Sequence, residues 1–284
     1  MRIANVEGRL KLLIGDGAVD VETRSDGRFA ADPHRAYDHF GELKEWAAGV
    51  SEPTEQFRAE KAGPPSPTPR QVFAVGLNYR EHIDETGGSD ELVLESPVIF
   101  TKYVSSFTGP VSVVELPGGP VDWETELVAV IGQPARNVPA SHSWTYVAGL
   151  TVGQDISERA MQHSGVVPQF SLSKSLPGFS PTGPCLVTPD ELDDPDDLGI
   201  GCAVNGELMQ ASRTSAMIFP VSELVSYLSG LVPLYPGDVI FTGTPAGVGW
   251  ARNPQRFLQD GDHLHSWIDG VGELHQRFVT RPSS

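Results

Sequence analysis

The sequence has few of the features that mark secreted, disulfide-bonded or membrane proteins. Its 284 residues include two cysteines, Cys185 and Cys202, which form neither a metal-type nor a redox-type motif. We therefore expect two buried free thiols and a reducing, cytoplasmic location. No apolar stretch approaches the roughly 20 residues that cross a bilayer, and the opening MRIANVEGRLKLLIG lacks the apolar run of a signal peptide. The sequence thus predicts no disulfide and no membrane partner.

Basic residues are also scarce. Lys and Arg total 20 against 37 Asp and Glu, which gives a formal net charge of −17. This charge argues against nucleic acid, whose binding needs clustered Lys and Arg, and against an anionic membrane surface. If the substrate is itself an anion, the site needs a metal ion or a few well-placed cations to overcome this field. No Gly-x-Ser-x-Gly motif is present, so serine hydrolase chemistry has no support.

The pattern along the chain predicts two domains. Residues 1–65 form a small N-terminal α+β domain and its linker, and residues 66–284 form the larger domain. RIANVEGRLKLLIGDGAVDVETRSDGRFA alternates and carries the turn signals of short hairpins. HRAYDHFGELKEWAAG then has large apolar residues at helical spacing, and KAGPPSPTPR is a stiff, proline-rich linker.

The larger domain reads as short apolar runs broken by Gly and Pro, which favours β-strands. One later stretch, FPVSELVSYLSGL, is helical, with Ser222 as a candidate cap and one apolar face. That face consists of Val221, Leu224, Val225, Leu228 and Leu231. Strands and helices do not alternate regularly, so a doubly wound parallel sheet is disfavoured. We therefore predict an α+β, β-rich fold, a roll or barrel with a few helices.

Three carboxylates stand at the entrance to an apolar strand, PVDWETELVAVIG. Because side chains alternate along a strand, Asp122, Glu124 and Glu126 should share one face with Val128 and Val130. One interpretation is that this end of the strand is exposed to solvent, since burying unpaired carboxylates is costly. The other is a hard divalent cation, held by Glu124 and Glu126 with Asp122 nearby, because Mg²⁺ takes oxygen ligands.

Asp155, in GLTVGQDISERAMQ, follows a second apolar strand. Read alone it is a turn or helix-capping residue. Together with Glu124 and Glu126 it would complete a three-carboxylate site.

Seven motifs occur in an order that resembles a known family. They are GLNYREHIDE, FTKYVSS, DWETELVAVIG, GQDISERAMQ, FSLSKSLPGFSPTGP, VNGELMQ and PGDVIFTGTPAGVG. Over roughly residues 70–280 the chain resembles the fumarylacetoacetate hydrolase superfamily, in particular its bacterial acylpyruvate hydrolases and 2-hydroxyhepta-2,4-diene-1,7-dioate isomerases. The resemblance implies a β-roll, commonly a homodimer, with Mg²⁺ or Mn²⁺ bound by Glu124, Glu126 and Asp155.

The resemblance also implies a general base. NYREHIDE is similar to a mobile segment that brings a His and a Glu over the metal, here His82 and Glu85. Three residues apart, they are neighbours on a helical turn, and a carboxylate partner makes His a better base. Asp84 is a competing partner that the sequence alone does not dismiss.

The remaining site residues follow from the same resemblance. Lys174 would lie near the metal and stabilise enolate or oxyanion charge. Arg159 and Gln162 would hold the substrate, Thr244 would bind an anionic oxygen from a glycine-rich turn, and Lys102 would lie at the edge of the pocket. The sequence departs from the family at Gln154, Glu158, Ala160 and the SLPGF stretch, which leaves substrate preference open.

These residues predict a metal-dependent hydrolase that cleaves a carbon–carbon bond in an acylpyruvate or related β-diketone acid. Such reactions belong to the catabolism of aromatic or similar compounds. Oxaloacetate decarboxylation, isomerisation of a hydroxy-dienedioate and hydration of a dienoate use most of the same residues. The pair His82 and Glu85 favours hydrolysis or decarboxylation over the other two. A non-catalytic protein that binds a metal and a small acid is the alternative of a different class.

Overall fold

The structure is a computed structural model that describes residues 1–87 and 94–280. Residues 88–93 and 281–284 of the predicted larger domain lie outside the described residues. Within the described ranges, strands dominate and the helices are short. This confirms the predicted α+β, β-rich fold class. Both cysteines are free and buried, as expected.

The strands in chain order are β1 Arg2–Val6, β2 Arg9–Ile14, β3 Gly17–Asp20, β4 Glu55–Gln56, β5 Ala62–Gly63, β6 Val72–Gly76, β7 Val98–Thr101, β8 Phe107–Thr108, β9 Val111–Leu116, β10 Val121–Asp122, β11 Thr125–Ile131, β12 Val147–Gln154, β13 Ser157–Glu158, β14 Ser180–Val187, β15 Gly199–Val204, β16 Glu207–Arg213, β17 Val239–Phe241, β18 His263–Ile268 and β19 Gly272–Thr280. The α-helices are α1 Val21–Arg24, α2 Phe40–Ala47, α3 Arg80–Glu85, α4 Arg159–Gln162, α5 Phe170–Ser173 and α6 Val221–Leu231. Short 3-10 helices cover Pro33–His39, Ala59–Lys61, Val104–Ser106, Ala140–Tyr146, Pro189–Glu191, Thr214–Ala216 and Gly249–Ala251. Among the described helices, none has the length and apolarity that a membrane span needs.

The largest sheet has the strand order β4-β3-β2-β1-β14-β12-β11-β17-β6-β7, with β5 beside β1 and β8 beside β14. Its pairs are antiparallel except β14–β8 and β17–β6, which are parallel. The first strand pairs with β14, so the N-terminal strands and the larger part of the chain share one sheet. The division of the chain after residue 65 stays a prediction.

The N-terminal segment forms the predicted hairpins. The β1–β2 and β2–β3 pairs are both antiparallel. Glu7 and Gly8 join the first pair with φ values of 52° and 80°, the left-handed conformation that tight hairpin turns require. The predicted helix begins as the 3-10 turn Pro33–His39 and becomes α-helical at Phe40.

The proline-rich stretch packs against both parts of the chain. The Tyr37 hydroxyl donates a hydrogen bond to the Pro65 carbonyl at 3.1 Å. The buried Ser66 hydroxyl donates to the Gly237 carbonyl at 2.7 Å. This stretch is therefore anchored by hydrogen bonds at its centre.

The predicted helix FPVSELVSYLSGL is confirmed as α6, with two corrections. Ser222 is the second residue inside the helix, and no side chain caps its start, because Pro220 occupies the capping position. Leu231 is 62% exposed, since the chain leaves the helix there, and the buried apolar face ends at Leu228.

Strands β11 and β12 form the centre of the molecule, and every residue of both is buried. Alternate residues of β11 enter two different apolar clusters: Leu127, Ala129 and Ile131 join one, and Val128 and Val130 join the other. The two strands approach closely because β12 has a glycine opposite Glu126. A Cβ on Gly153 would lie 2.4 Å from the Val128 side chain.

A second sheet has the order β16-β15-β18-β19-β9. Its inner face buries Leu264 and Phe278 together with Trp123 in a third apolar cluster, whereas Leu274 joins the cluster of Leu127. The short pair β10–β13 lies next to it and sets Asp122 opposite Ser157, just before α4. The carboxylate segment is thereby fixed against the segment that carries Arg159.

Candidate active site

The carboxylate segment is buried, although it is not one continuous strand. Strand β10 ends at Asp122 and β11 begins at Thr125, and Glu124 lies in the break between them. Asp122, Glu124 and Glu126 are 0%, 6% and 1% exposed, so the solvent-exposed interpretation is wrong. The break is held by hydrogen bonds to Glu124: its carbonyl accepts from the Asp155 N–H at 2.8 Å, and its own N–H donates to the Gln154 side chain at 3.0 Å.

Three carboxylates converge at this break. One oxygen from each of Glu124, Glu126 and Asp155 lies within 4.8 Å of the other two. The pairing of β11 with β12, which sets Thr125 opposite Gln154, brings Asp155 beside Glu124. The structure therefore assembles the predicted trio from two separate segments.

The charge of the trio fits a hard divalent cation. Burial raises the pKa of Glu126 well above its ordinary value, and the nearby Asp155 and Glu124 raise it further. A bound dication would remove this repulsion, and oxygen ligands are those that Mg²⁺ and Mn²⁺ prefer. Each ionised carboxylate has about four lone-pair positions, so pairing with a lysine leaves room for a metal bond.

Asp122 does not belong to the trio, contrary to the prediction that it lies near the cation. Its Oδ2 accepts hydrogen bonds from Arg159 Nε at 3.0 Å and Nη2 at 2.7 Å. The same carboxylate accepts from the N–H groups of Gly249, at 2.7 Å, and Trp250, at 2.9 Å. Because the strand breaks after Asp122, alternation no longer sets it on the face of Glu126. Its role is to hold Arg159.

Arg159 connects this anchor to the trio. Its Nη1 lies 2.8 Å from Glu124 Oε1 and donates to Gln162 Oε1 at 2.9 Å. Burial alone would lower the pKa of Arg159, but Asp122 and Glu124 raise it, so the guanidinium stays charged. The predicted substrate-binding residues Arg159 and Gln162 are thus in direct contact.

The two lysines differ in position. Lys174 Nζ lies 2.6 Å from Glu124 Oε2 and 2.7 Å from Asp155 Oδ2, between two carboxylates of the trio. Lys102 bonds the other oxygen of Asp155 and the Lys174 carbonyl. Its side chain is 0% exposed, so Lys102 lies behind the trio and not at the edge of the pocket, where we expected it. Burial lowers the pKa of Lys102, whereas the pKa of Lys174 is raised, because Asp155 and Glu124 outweigh its burial.

The predicted base and its partner are paired. His82 Nδ1 lies 2.7 Å from Glu85 Oε1, and Glu85 Oε2 accepts the Gly247 N–H at 2.8 Å. Asp84 is exposed, so Glu85 is the partner of the ring. With Nδ1 donating to Glu85, Nε2 is left free to accept a proton.

Six of the ten predicted site residues line a cavity of about 230 Å³. Of the predicted residues, its polar lining contains His82, Glu124, Arg159, Gln162, Lys174 and Thr244. The other four, Glu85, Lys102, Glu126 and Asp155, do not line the cavity. They contact the lining residues or the backbone beside them. Its apolar lining, which we did not predict, includes Val98, Phe100, Phe170, Val248 and Trp250.

The apolar lining is built from aromatic contacts. Phe100 and Phe170 have ring centroids 5.5 Å apart, and His163 stacks on Trp250 at 4.9 Å. The Lys174 ammonium lies 5.4 Å from the centre of the Phe100 ring. An uncharged group of a substrate would therefore find room beside the charged groups.

Thr244 is positioned by a residue that we did not predict. Its hydroxyl donates to the Thr125 carbonyl at 2.9 Å and accepts from Gln210 Nε2 at 2.8 Å. The preceding Gly243 has φ 96° and gives its N–H to Glu126 Oε2 at 2.8 Å. The glycine-rich turn thus supports the trio as well as the cavity. Gln210, a buried amide in an edge strand, ends the motif VNGELMQ, but the sequence assigned it no role.

The departures from the family pattern lie outside the cavity lining. Gln154 donates to Thr125 Oγ1 at 2.7 Å and to Ser266 Oγ at 2.8 Å, behind the trio. Glu158 caps α4 through the N–H groups of Ala160 and Met161. These residues shape the framework and do not line the cavity. Substrate preference therefore depends on the apolar lining instead.

Comparison with known proteins gives the family. The model of the Fumarylacetoacetate (FAA) hydrolase C-terminal family matches residues 71–279. The chain belongs to the fumarylacetoacetate hydrolase superfamily. Oxaloacetate tautomerase FAHD2B, mitochondrial, from Bos taurus is 42% identical over 217 residues, which cover 76% of this chain and 68% of that protein.

Two solved structures place the fold within this superfamily. A Mycobacterium smegmatis protein that carries the name HpcE is 57% identical, with a TM-score of 0.93 and 99% of each chain covered. The maleylpyruvate hydrolase from Sphingobium sp. SYK-6, in complex with manganese(II) ion and pyruvate, is 28% identical, with a TM-score of 0.76 and 99% of each chain covered. The predicted superfamily and fold are therefore confirmed, and the chain belongs to a family of enzymes.

Proposed function

We propose that this enzyme catalyses metal-dependent hydrolysis of a carbon–carbon bond in an acylpyruvate or a related β-diketone acid. The observation that carries the proposal is the His82–Glu85 pair, because its ring lines the same cavity as Glu124 of the carboxylate trio. A base held by a carboxylate is what activation of water requires.

The proposed cofactor is Mg²⁺ or Mn²⁺, held by Glu124, Glu126 and Asp155. When bound, the cation would supply Lewis-acid chemistry to the oxygens of a 2-oxo acid. The manganese and pyruvate in the related maleylpyruvate hydrolase support this choice. An excess of buried negative charge in the trio supports it independently.

The lining of the cavity suggests how the substrate is held. Arg159 and Gln162 offer donors for the carboxylate of the 2-oxo acid, and Arg159 is already fixed by Asp122. The acyl group would pack on Phe100, Phe170 and Trp250. Aromatic rings suit an apolar or planar acyl group, whereas a four-carbon dicarboxylate has no apolar part to place there.

The protein groups then divide the reaction between them. His82 Nε2 removes a proton from water, which attacks the distal carbonyl, and Glu85 stabilises the imidazolium that forms. The positive charge of Lys174 stabilises the oxyanion. Collapse of the oxyanion breaks the carbon–carbon bond, and the electron pair leaves as the enolate of pyruvate, which then takes up a proton. The products are pyruvate and a carboxylic acid.

A second candidate is isomerisation of oxaloacetate between its enol and keto forms. It is favoured by the identity of 42% to a protein named oxaloacetate tautomerase. In this reaction the His82–Glu85 pair would only move a proton between carbon and oxygen. No observation singles out decarboxylation of oxaloacetate or hydration of a dienoate.

Assays of the purified protein with Mg²⁺ or Mn²⁺ distinguish these reactions. We expect acetylpyruvate or fumarylpyruvate to be consumed with release of one pyruvate per substrate. Loss of the oxaloacetate enol absorbance without pyruvate release would favour the tautomerase. Activity that persists in a chelator, or that survives in His82→Ala, would refute both proposals.

Two further expectations remain proposals. The superfamily resemblance suggests a homodimer, which light scattering on the purified protein tests directly. The two free, buried cysteines agree with a reducing cytoplasm, and fractionation of the native cells tests that location.

A further inference from the structure

A second group of potential metal ligands lies on the outer face of the hairpin β18–β19. In β18, Leu264, Ser266 and Ile268 point into the core, which turns the alternate residues outwards. Glu273 and His275 of β19 lie on the same outer face. None of these outward residues lines the catalytic cavity.

The geometry of this group is compact. His265 and His275 face each other directly across the two strands. Their rings are stacked, with centroids 4.5 Å apart and planes within 3°. Glu273 Oε2 lies 3.1 Å from His265 Nε2 and 3.6 Å from His275 Nε2. One ligand atom from each of the three residues lies within 4.8 Å of the other two.

His263 is the nearest additional imidazole, with its ring centroid 5.5 Å from that of His275. It faces Arg277, whose positive charge opposes a cation, so we leave it outside the ligand set.

We propose that His265, Glu273 and His275 form a surface site for a divalent transition-metal ion of the class of Zn²⁺, Ni²⁺ or Cu²⁺. Imidazole nitrogen favours these ions, whereas Mg²⁺ prefers the all-oxygen trio. Three protein ligands satisfy Zn²⁺ when water takes the fourth position. The inference does not depend on the proposed reaction.

The hairpin is suited to hold such an ion. Six residue pairs fix its two strands, and the alternate side chains Leu264 and Leu274 anchor them in the core. Only the side chains need to move. Zn–N bonds of about 2.0–2.1 Å bring ligand atoms closer together than 4.8 Å, and rotation of the partly exposed imidazole rings supplies this movement.

Calorimetric titration of Zn²⁺ tests the site. Excess Mg²⁺ and the Glu126→Gln background keep Zn²⁺ from the carboxylate trio. In that background we expect one Zn²⁺ per chain, with affinity at least about tenfold weaker after His265→Ala or His275→Ala, because each removes one of three ligands. His142→Ala, which removes an exposed histidine elsewhere, should leave binding unchanged.

Thermal unfolding provides a second measurement. Zn²⁺ should raise the melting temperature of the Glu126→Gln protein clearly more than that of its His275→Ala derivative. In the absence of metal these two proteins should melt together, since His275 is partly exposed. The proposal is overturned if Zn²⁺ binds the histidine variants as tightly as their parent. It is equally overturned if the Glu126→Gln protein binds no Zn²⁺.

Discussion

Replacing Glu126 by glutamine should separate the stability of the protein from its metal affinity. Glu126 is 1% exposed, and one of its oxygens accepts the Gly243 N–H at 2.8 Å. Its pKa is raised above the ordinary 4.5 by burial and by two neighbouring carboxylates. Folding therefore favours its protonated form, and the stability it contributes is present below pH 4.5 and lost as the pH rises. Glutamine has the same shape, keeps the acceptor for Gly243 and carries no charge. Without metal, Glu126→Gln should thus be at least as stable as the wild type at neutral pH.

With metal the order should reverse. A cation at about 100 times its Kd stabilises the wild type by about 2.7 kcal/mol. This corresponds to a rise in Tm of roughly 5–10 °C, because about 1 kcal/mol shifts Tm by about 2–4 °C in a chain of this size. Removing one of three ligands should weaken binding at least about tenfold, which halves that gain. The Tm of the wild type should rise in Mg²⁺ or Mn²⁺, and that of the variant should rise by about half as much or less.

Thermal unfolding of both proteins, in chelator and in metal, measures these differences. Glu207→Gln makes the same chemical change on an exposed strand end and should behave as the wild type in both conditions. The reasoning is refuted if Glu126→Gln is clearly less stable than the wild type in chelator. It is also refuted if metal raises the Tm of the variant as much as that of the wild type.

Three further predictions follow from the same contacts. His82→Ala should lower kcat by ~100- to 10,000-fold with metal affinity unchanged by calorimetry, whereas Asp84→Asn should leave kcat intact. Asp122→Asn leaves the buried Arg159 without its strongest anchor and should cost about 3 kcal/mol in urea unfolding; Asp197→Asn, which removes only an exposed ion pair, should barely move the transition. Burial would raise the pKa of Glu124, but neighbouring charges, Lys174 first, lower it to about 2. Metal-free stability from this group should therefore be lost as the pH falls from 4.5 towards 2, and the pH dependence of the urea midpoint should lack this slope in Glu124→Gln.

The elements that the sequence predicted well have a strong local pattern. From Leu127 onwards strand β11 is a continuous apolar run, and burial on both faces is the reason for that run. Helix α6 repeats apolar residues at helical spacing because one side packs on the core. The partner of His82 could not be chosen in this way, because Asp84 and Glu85 are adjacent. Only the orientation of the helix decides between them, by turning Asp84 to solvent.

The parts that the sequence did not predict depend on depth and on long-range contacts. The sequence neighbours of Lys102 are uncharged, and this is compatible with a position at the edge of the pocket or behind the carboxylate trio. Only the fold shows that its partner is Asp155. Asp122 was assigned to the wrong face because alternation assumes an unbroken strand, and the break after it has no clear composition signal. Gln210 meets Thr244 from 34 residues away in sequence, so no local pattern could reveal the contact.

The buried charges explain why the carboxylates stand at the entrance to a core strand. In the contacts described above, four carboxylates (Asp122, Glu124, Glu126 and Asp155) meet three cations (Lys102, Arg159 and Lys174). The unbalanced charge falls on Glu126, which has no cationic partner among the described ion pairs and shows the raised pKa. A fold selected for stability alone would place an apolar residue there, continuing the pattern of β11. In the proposed enzyme this cost would be offset when a dication binds, so Glu126 would couple the stability of the protein to the proposed cofactor.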